Sequence, residues 1–414
     1  MTKQEFDVIV IGGGAAGLAA AIAAKMEGAE SVLILERNES LGGILPQCIH
    51  TGFGLHYFKE NLTGPEYISR FIKKVEEFNI PYKLETMVIN LTSKREVIAV
   101  NSKEGLMKLR SKTIILAMGC RERSRGAISI PGTRPAGIFT AGTAQRLMDI
   151  EGYMLGKRIL ILGSGDVGLI MARRFAMEGA EVVGVVEIMP YPGGLDRNLQ
   201  CLKDFGIPLY LRHAATCIHG SERVEAVTIT KLDEDGKPIP GEEKIIECDT
   251  LILSVGLIPE NELSKKAGII LDPRTNGPIV DENMETSICG IFACGNVVHV
   301  HDLVDHVTLE GEEAGRNAAR RALGALPELK RRIYIRSGRN LRYVVPQIIS
   351  GEKPLTLYAR AWKPAFNVRI MVGGNIAIPK RVVKPPELVT INLTAERLRR
   401  LEKDKGEIVV DMIT

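Results

Sequence analysis

The stretch Phe6–Ala24, "FDVIVIGGGAAGLAAAIAA", carries an apolar run into Gly12-x-Gly14-x-x-Gly17 and on into an alanine-rich segment. A strand that ends in glycines and turns directly into a helix is the first half of a dinucleotide-binding unit. Gly12 permits the tight turn, Gly14 lets the backbone approach a pyrophosphate, and Gly17 allows the helix to lie close on the strand. The start of the helix then offers N–H groups and the positive end of its dipole to an anion. The next strand, "SVLILE", ends at Glu36, placed to accept hydrogen bonds from a ribose.

One G-x-G-x-x-G is weak evidence, because glycine-rich turns are common and three spacings match by chance. Here the device recurs. Strand "RILILG" leads to Gly163-x-Gly165-x-x-Gly168, helix "LIMARRFAMEGA" follows, and strand "EVVGVVE" ends at Glu187. Glu36 and Glu187 each lie 19 positions beyond the third glycine of their motif. Two such units predict an α/β protein that binds two dinucleotides. An acid at Glu187 favours a free 2′-hydroxyl and repels a 2′-phosphate, so NAD is expected over NADP at the second site.

The totals agree with a globular protein of two or three domains: 414 residues, 45% hydrophobic, 25% charged and a net charge of +4. The charge is uneven, with 18 Lys+Arg against 8 Asp+Glu in residues 326–414. No basic stripe interleaved with aromatics points to nucleic acid. The seven cysteines form neither a zinc pattern nor a Cys-x-x-Cys pair, which suits reduced thiols in the cytoplasm. Glu5 and Asp7 spoil the basic start of a signal peptide, and no window is long and apolar enough for a membrane span. A cytoplasmic location is expected.

The sequence resembles the two-dinucleotide-binding-domain flavoproteins, the pyridine nucleotide-disulfide oxidoreductase type, over most of residues 5–325. "TIILAMG" (113–119), "DTLILSVGLIP" (249–259) and "TSICGIFACGN" (286–296) carry the likeness beyond the glycines. The resemblance implies two Rossmann-like domains, FAD on the first and a nicotinamide nucleotide on the second. The FAD domain (1–120 and 257–325) would be interrupted by the NAD domain (121–256). It also implies the site residues. Gly12, Gly14, Ala15, Ala16, Gly17, Glu36, Arg37, Gly43, Val88, Ala117, Gly119, Gly295 and Asn296 would line the FAD. Gly163, Gly165, Asp166, Val167, Gly168, Glu187 and Gly256 would line the NAD. Asn296 stands where most members have aspartate, and an amide can still accept from a ribityl hydroxyl. Thr140 and Thr143 fall about where the thioredoxin-reductase branch has its redox cysteines, so disulfide reduction by that route is not expected.

"GILPQCIHTGFG", "RPAGIFTAGTAQRLM", "LDRNLQCLKDFGIPL" and "FACGNVVHVHDLVDHV" look like the NAD/FAD oxidoreductase subunits that accompany glycerol-3-phosphate dehydrogenases, and like related subunits of amine, proline and opine dehydrogenase or cyanide-forming complexes. Such subunits imply a hetero-oligomer with a second flavoprotein dehydrogenase and a small iron–sulfur protein. From Leu326 on, alternating stretches such as "RRIYIRSG" and "FNVRIMVGG" predict a small β-rich domain, residues 326–414, suited to docking such partners.

Two side chains are candidates for chemistry, Cys48 and His301. Cys48 in "PQCIH" offers a sulfenic-acid cycle if its thiolate is stabilised, or else a buried thiol lining the flavin pocket. Cys289 and Cys294 read as structural. The segment "HVHDLVDH" (299–306) offers ligand types without a convincing constellation, so no metal is expected there, and it reads as the wall of the FAD site. The helix after it should start with Asp302 or Asp305 as N-cap and aim its dipole at the flavin. Hydride transfer between NAD(H) and FAD is thus the expected reaction, with a partner dehydrogenase or oxygen exchanging the electrons. A stand-alone NADH oxidase or peroxidase using Cys48, and a non-catalytic nucleotide-binding sensor or scaffold, stay open beside it.

Overall fold

In the computed structural model, which describes residues 4–401 and 406–413, the strand Gln4–Ile11 lies between Val32–Leu35 and Gly105–Leu116, parallel to both. Val8, Ile9, Val10 and Ile11 are all buried, as expected of a central strand covered on both faces. The helix Ala15–Met26 connects the first two strands, which pair in parallel. Its alanines let it sit close to a second helix, Val304–Ala322. A Cβ on Gly311 would lie 2.4 Å from the Ala16 carbonyl oxygen, and one on Gly315 2.1 Å from that of Ala20. Glycine one turn apart on the later helix is therefore what brings the two backbones together.

The chain divides into two compact units, one made of Met1–Cys120 with Pro259–Thr414 and the other of Arg121–Ile258. In the first, the sheet runs Tyr82–Lys83, Val32–Leu35, Gln4–Ile11, Gly105–Leu116, Glu96–Asn101, Met87–Leu91. The long strand Gly105–Leu116 forks: its end also pairs with Ile291–Ala293, in parallel through Ile114–Leu116. That pairing delivers the chain to Gly295 beside the glycine turn of the first motif. Helix Gly64–Glu77 begins with a capping box between Thr63 and Glu66, and buries Tyr67, Ile68, Phe71 and Val75.

The second unit repeats the plan. Its parallel sheet has the order Ile138–Thr140, Thr250–Leu253, Arg158–Leu162, Glu181–Glu187, Leu209–Leu211. The helix Asp166–Met177 follows the second glycine motif, and an antiparallel three-stranded sheet, His213–His219, Ala226–Leu232 and Pro238–Glu247, is added to it.

Residues beyond Leu326, expected as a separate domain, belong to the first unit but have a hydrophobic cluster of their own, built by Ile333, Val368, Ile370, Ile391 and Val410 among others. They form a five-stranded sheet, in the order Ile348–Ile349, Ile333–Ser337, Glu407–Ile413, Ala365–Val372, Ile376–Val383, and a three-stranded sheet of Leu341–Val345, Leu355–Ala361 and Val389–Leu393. Buried polar ties join this layer to the rest of the unit: Glu282 accepts from the Ser350 N–H at 2.7 Å and its hydroxyl at 2.8 Å. Among the described residues, no helix is long and apolar enough to cross a membrane.

Candidate functional site

The two glycine turns are built alike. Gly12 has φ +107° and Gly163 φ +90°, values that L side chains rarely adopt. A Cβ at Gly12 would lie 2.4 Å from the Ala117 carbonyl oxygen, and one at Gly163 2.0 Å from that of Ser254, so each turn rests on the strand beside it. Gly17 is needed for a different reason: its Cβ would sit 1.8 Å from the Gly12 carbonyl oxygen. Neither helix that follows has a side-chain cap, so the N–H groups of each first turn face the space in front of it.

Each turn is closed by its acid. Glu36 is buried and accepts from Gly13 N–H at 2.7 Å with Oε2 and from Asn38 N–H at 2.8 Å with Oε1. Glu187, also buried, accepts from Ser164 N–H at 3.0 Å and Met189 N–H at 2.9 Å. The Ser164 hydroxyl donates to it as well, at 2.6 Å. These bonds hold each carboxylate at the mouth of its cradle. The residue after Glu187 is the exposed Ile188, which brings no cation for a 2′-phosphate.

The bare backbone of the first cradle fits FAD. A Cβ on Gly43 would come within 3.0 Å of the Gly14 Cα, so one wall is backbone against backbone. Gly119 and Gly295 have positive φ, and Gly119 opens on free space. Ala15, Ala16 and Ala117 are buried against the turn, Val88 is buried in the strand Met87–Leu91, and Arg37 is exposed just past Glu36. In the second unit Asp166 does not face outward: its Oδ1 accepts from Leu195 N–H at 2.8 Å and Asn198 Nδ2 at 2.6 Å, and it thereby fixes the following loop. Gly168 N–H donates to Ser254 Oγ at 3.1 Å, Val167 lies in the first turn of the helix, and Gly256 accepts from Arg123 N–H at 3.0 Å.

Asn296 follows Gly295. Its Oδ1 accepts from His301 N–H at 2.9 Å and lies 3.2 Å from His301 Nδ1, while its Nδ2 points at Cys120 Sγ, 3.7 Å away. The loop then folds over the helix Val304–Ala322. His299 Nε2 and His301 Nε2 both approach Glu310 Oε1, at 3.0 and 3.3 Å. Gly295 N–H donates to the other oxygen of Glu310 at 2.7 Å. Burial disfavours the charged ring of His299 and brings its pKa down to about 4, with His301 adding to the effect. Burial by itself would raise the Glu310 carboxyl, but the His301 and His299 rings outweigh it and hold the carboxyl well below the usual range.

The expected N-cap is not there. The helix is preceded by Leu303, and no side chain caps it. Asp302 is drawn away by the later strands, accepting from Arg360 Nη2 and from Leu388 N–H, both at 2.5 Å. Asp305 lies inside the first turn, where it accepts from Tyr57 N–H at 2.6 Å, His56 N–H at 3.1 Å and Gly54 N–H at 3.4 Å. Both carboxylates found backbone or guanidinium donors that a lone helix end does not provide.

Cys48 is buried, and its thiol donates to the Ile44 carbonyl oxygen at 3.4 Å. A Cβ on Gly64 would meet the Cys48 Cβ at 2.8 Å, so the thiol sits under the start of the helix Gly64–Glu77. Burial pushes the Cys294 thiol well up, and Cys289 is exposed. Thr140 and Thr143 place their hydroxyls 2.9 Å apart, a pair without sulfur chemistry.

The model of the pyridine nucleotide-disulphide oxidoreductase family matches residues 6–319. The chain belongs to this family. Its members are FAD-containing, nicotinamide-nucleotide-linked oxidoreductases that bind FAD and NAD(P)H. An opine oxidase subunit of Agrobacterium tumefaciens (strain Ach5) is 25% identical over 346 residues, 78% of this chain and 66% of that one. Hydrogen cyanide synthase subunit HcnB of Pseudomonas protegens is 25% identical over 283 residues, 63% of this chain and 58% of its own length. The matches thus span less than two thirds of these two relatives, 66% of one and 58% of the other. The crystal structure of T. acidophilum thioredoxin reductase shares the fold, with a TM-score of 0.63 at 24% identity, over 78% of this chain and 100% of that one.

Several residues of the candidate site were not singled out from sequence: Ser164, Ser254, Glu310 and Arg360. Ser164 had a local signal, since it lies between two motif glycines. Glu310 had a weaker one, as an acid one turn before Ala314 on the buried side of the helix. Arg360 had none, because it reaches Asp302 across 58 residues of chain.

Proposed function

We propose that the chain is the NAD-linked FAD subunit of a two-flavoprotein dehydrogenase, moving a hydride between NAD(H) and FAD. The electrons are exchanged with a partner dehydrogenase acting on glycerol-3-phosphate or on an amine or amino acid. The observation that carries the reading is the pair of glycine turns, each closed by its own buried carboxylate, Glu36 on Gly13 and Glu187 on Ser164. One cradle alone would suit a sensor. Two cradles suit a protein that brings a nicotinamide nucleotide to a flavin.

The flavin, when bound, supplies the chemistry that links two-electron hydride transfer to single-electron exchange. The chain's own residues bind and orient. Gly12, Gly14 and Gly43 would let the dinucleotide approach backbone, and the start of helix Ala15–Met26 would meet its pyrophosphate. Gly295 and Asn296 would meet the ribityl chain, with Asn296 held in place by His301. Asp305, fastened to the loop of Gly54, His56 and Tyr57, would keep the first turn of helix Val304–Ala322 where its dipole faces the flavin.

The partner is supported by the relatives, both of them subunits of larger enzymes by name. Residues 326–414 are the proposed docking part, with Trp362 and Phe366 more than half exposed. A cytoplasmic location goes with this reading.

The test is an anaerobic titration of the purified flavoprotein with NADH. Stoichiometric bleaching of the flavin is expected, with NADPH markedly slower. A flavin that stays oxidised in excess NADH overturns the proposal. For the partner, Phe366→Asp should abolish co-purification with the second dehydrogenase and leave the bleaching unchanged.

A further inference from the structure

The cluster formed by His299, His301 and Glu310 is buried on all three members, and its ligand-type atoms lie within 4.8 Å of one another. We propose that these three side chains hold one divalent first-row ion, zinc or ferrous iron. Two imidazoles and one carboxylate are a donor set that both ions accept, with positions left over for water or another ligand.

The spacing fits a shared ion. Donor atoms about 2.1 Å from one metal and roughly 90–110° apart lie about 3.0–3.4 Å from each other. The two contacts to Glu310 Oε1 are 3.0 Å from His299 Nε2 and 3.3 Å from His301 Nε2.

The hydrogen bonding around His301 shows which of its nitrogens is available. Asn296 turns its Nδ2 to Cys120 Sγ and its Oδ1 to His301, where the backbone N–H already donates to it. An amide oxygen at 3.2 Å requires the proton of the ring on Nδ1. In a neutral ring Nε2 is then a bare lone pair facing a carboxylate oxygen inside the protein. Two facing lone pairs repel, and a cation between them reverses the sign.

A proton on Nε2 is the competing cation: it suits His299, whose Nε2 meets Glu310 Oε1 in an aligned contact at 3.0 Å, but not His301. Among the described residues His301 Nε2 has no aligned hydrogen-bond partner, despite its 3.3 Å approach to Glu310. A hydrogen bond needs the proton near the N···O line. Donors around a metal point instead at the ion, which lies off that line. Two of the outer contacts suit a metal site: His301 Nδ1 is oriented by the Asn296 carbonyl, and the second Glu310 oxygen by Gly295 N–H, while His299 Nδ1 has no hydrogen-bond partner among the described residues. Around the cluster stand Tyr343, whose ring centre is 5.7 Å from that of His299, and Tyr358, at 5.8 Å from it.

The ion would tie the loop at His299 and His301 to the second turn of the helix. Because Gly295 and Asn296 are bonded to the same residues, it would also set their position. That last consequence rests on the proposed ribityl role of Gly295 and Asn296, while metal binding itself does not.

The experiment uses the full flavoprotein, free of any affinity tag. Elemental analysis of protein purified without chelators should give one zinc or one iron per chain and so distinguish the two. After stripping, a titration with Co²⁺ should develop visible ligand-field absorption that saturates at one equivalent. Glu310→Gln and His301→Ala should each lower occupancy at least tenfold, and His306→Ala, which changes a neighbouring ring outside the set, should not. If the variants fail to fold, the wild-type titration decides. Zinc and iron well below one equivalent, together with Co²⁺ that shows no saturable absorption, overturn the proposal and leave a proton-held cluster. Since neither readout involves the nicotinamide reaction, failure here is distinguishable from failure of NADH to bleach the flavin.

Discussion

Glu187 is fastened to Ser164 twice, through the backbone N–H at 3.0 Å and the hydroxyl at 2.6 Å, so the acid closing the second cradle is anchored to the glycine turn that opens it. On the proposed role of Glu187, a carboxylate held in this way would select against a 2′-phosphate. The expected outcome is a kcat/KM for NADH well above that for NADPH, and Glu187→Ala should narrow the ratio by roughly tenfold or more, the scale of a hydrogen bond to a charged group. Steady-state kinetics with both nucleotides is the measurement. An unchanged ratio would mean that Glu187 only braces the turn.

Gly17 has no room for a methyl group, since its Cβ would lie 1.8 Å from the Gly12 carbonyl oxygen. Gly17→Ala should therefore destabilise the protein by about 1–3 kcal/mol, the usual range for overpacking, and lower the flavin content on purification. Gly126→Ala meets nothing closer than 3.8 Å and serves as the control. Denaturant unfolding and flavin absorbance report on both.

Asp281 gives the stability a pH dependence. Burial raises its pKa to about 6, although Asn283 N–H and Glu285 N–H both donate to it. A carboxyl raised above its unfolded value of 3.8 favours folding most below that value, and the benefit is lost as pH rises through about 6. The lost contribution is about 3 kcal/mol. Asp281→Asn keeps an acceptor for the two N–H groups and removes the charge. Its unfolding midpoint, measured from pH 4 to 7, should gain on the wild type as pH rises; parallel curves would refute this.

Cys48 donates its buried thiol to the Ile44 carbonyl oxygen. Cys48→Ser should leave the anaerobic bleaching by NADH unchanged. A collapse of peroxide-dependent NADH oxidation in this variant would instead favour the peroxidase reading.

The glycine turns were legible in the sequence because their requirements are local. A positive φ at Gly12 and Gly163 and a crossover at Gly17 and Gly168 are settled within about twenty residues, and Glu36 and Glu187 lie at a fixed strand's distance beyond. The helix start after Leu303 was less legible. An aspartate before a helix is a sound expectation for a cap, but Asp302 and Asp305 were claimed by Arg360 and by the loop at Gly54–Tyr57, partners brought in by folding. The histidines show the same limit. His299 and His301 were visible as ligand types, while Glu310 entered their company only when the loop folded back over its own helix.

What the sequence by itself determined was the twin dinucleotide-binding plan, with its acids and its family, since chain geometry couples those residues through short strands and turns. What only the tertiary structure decided was which partners the remaining polar groups take. In a buried site each donor and acceptor must find its complement from whatever the fold brings near, and here the sequence separations reach about 250 residues, as between Asp305 and Tyr57.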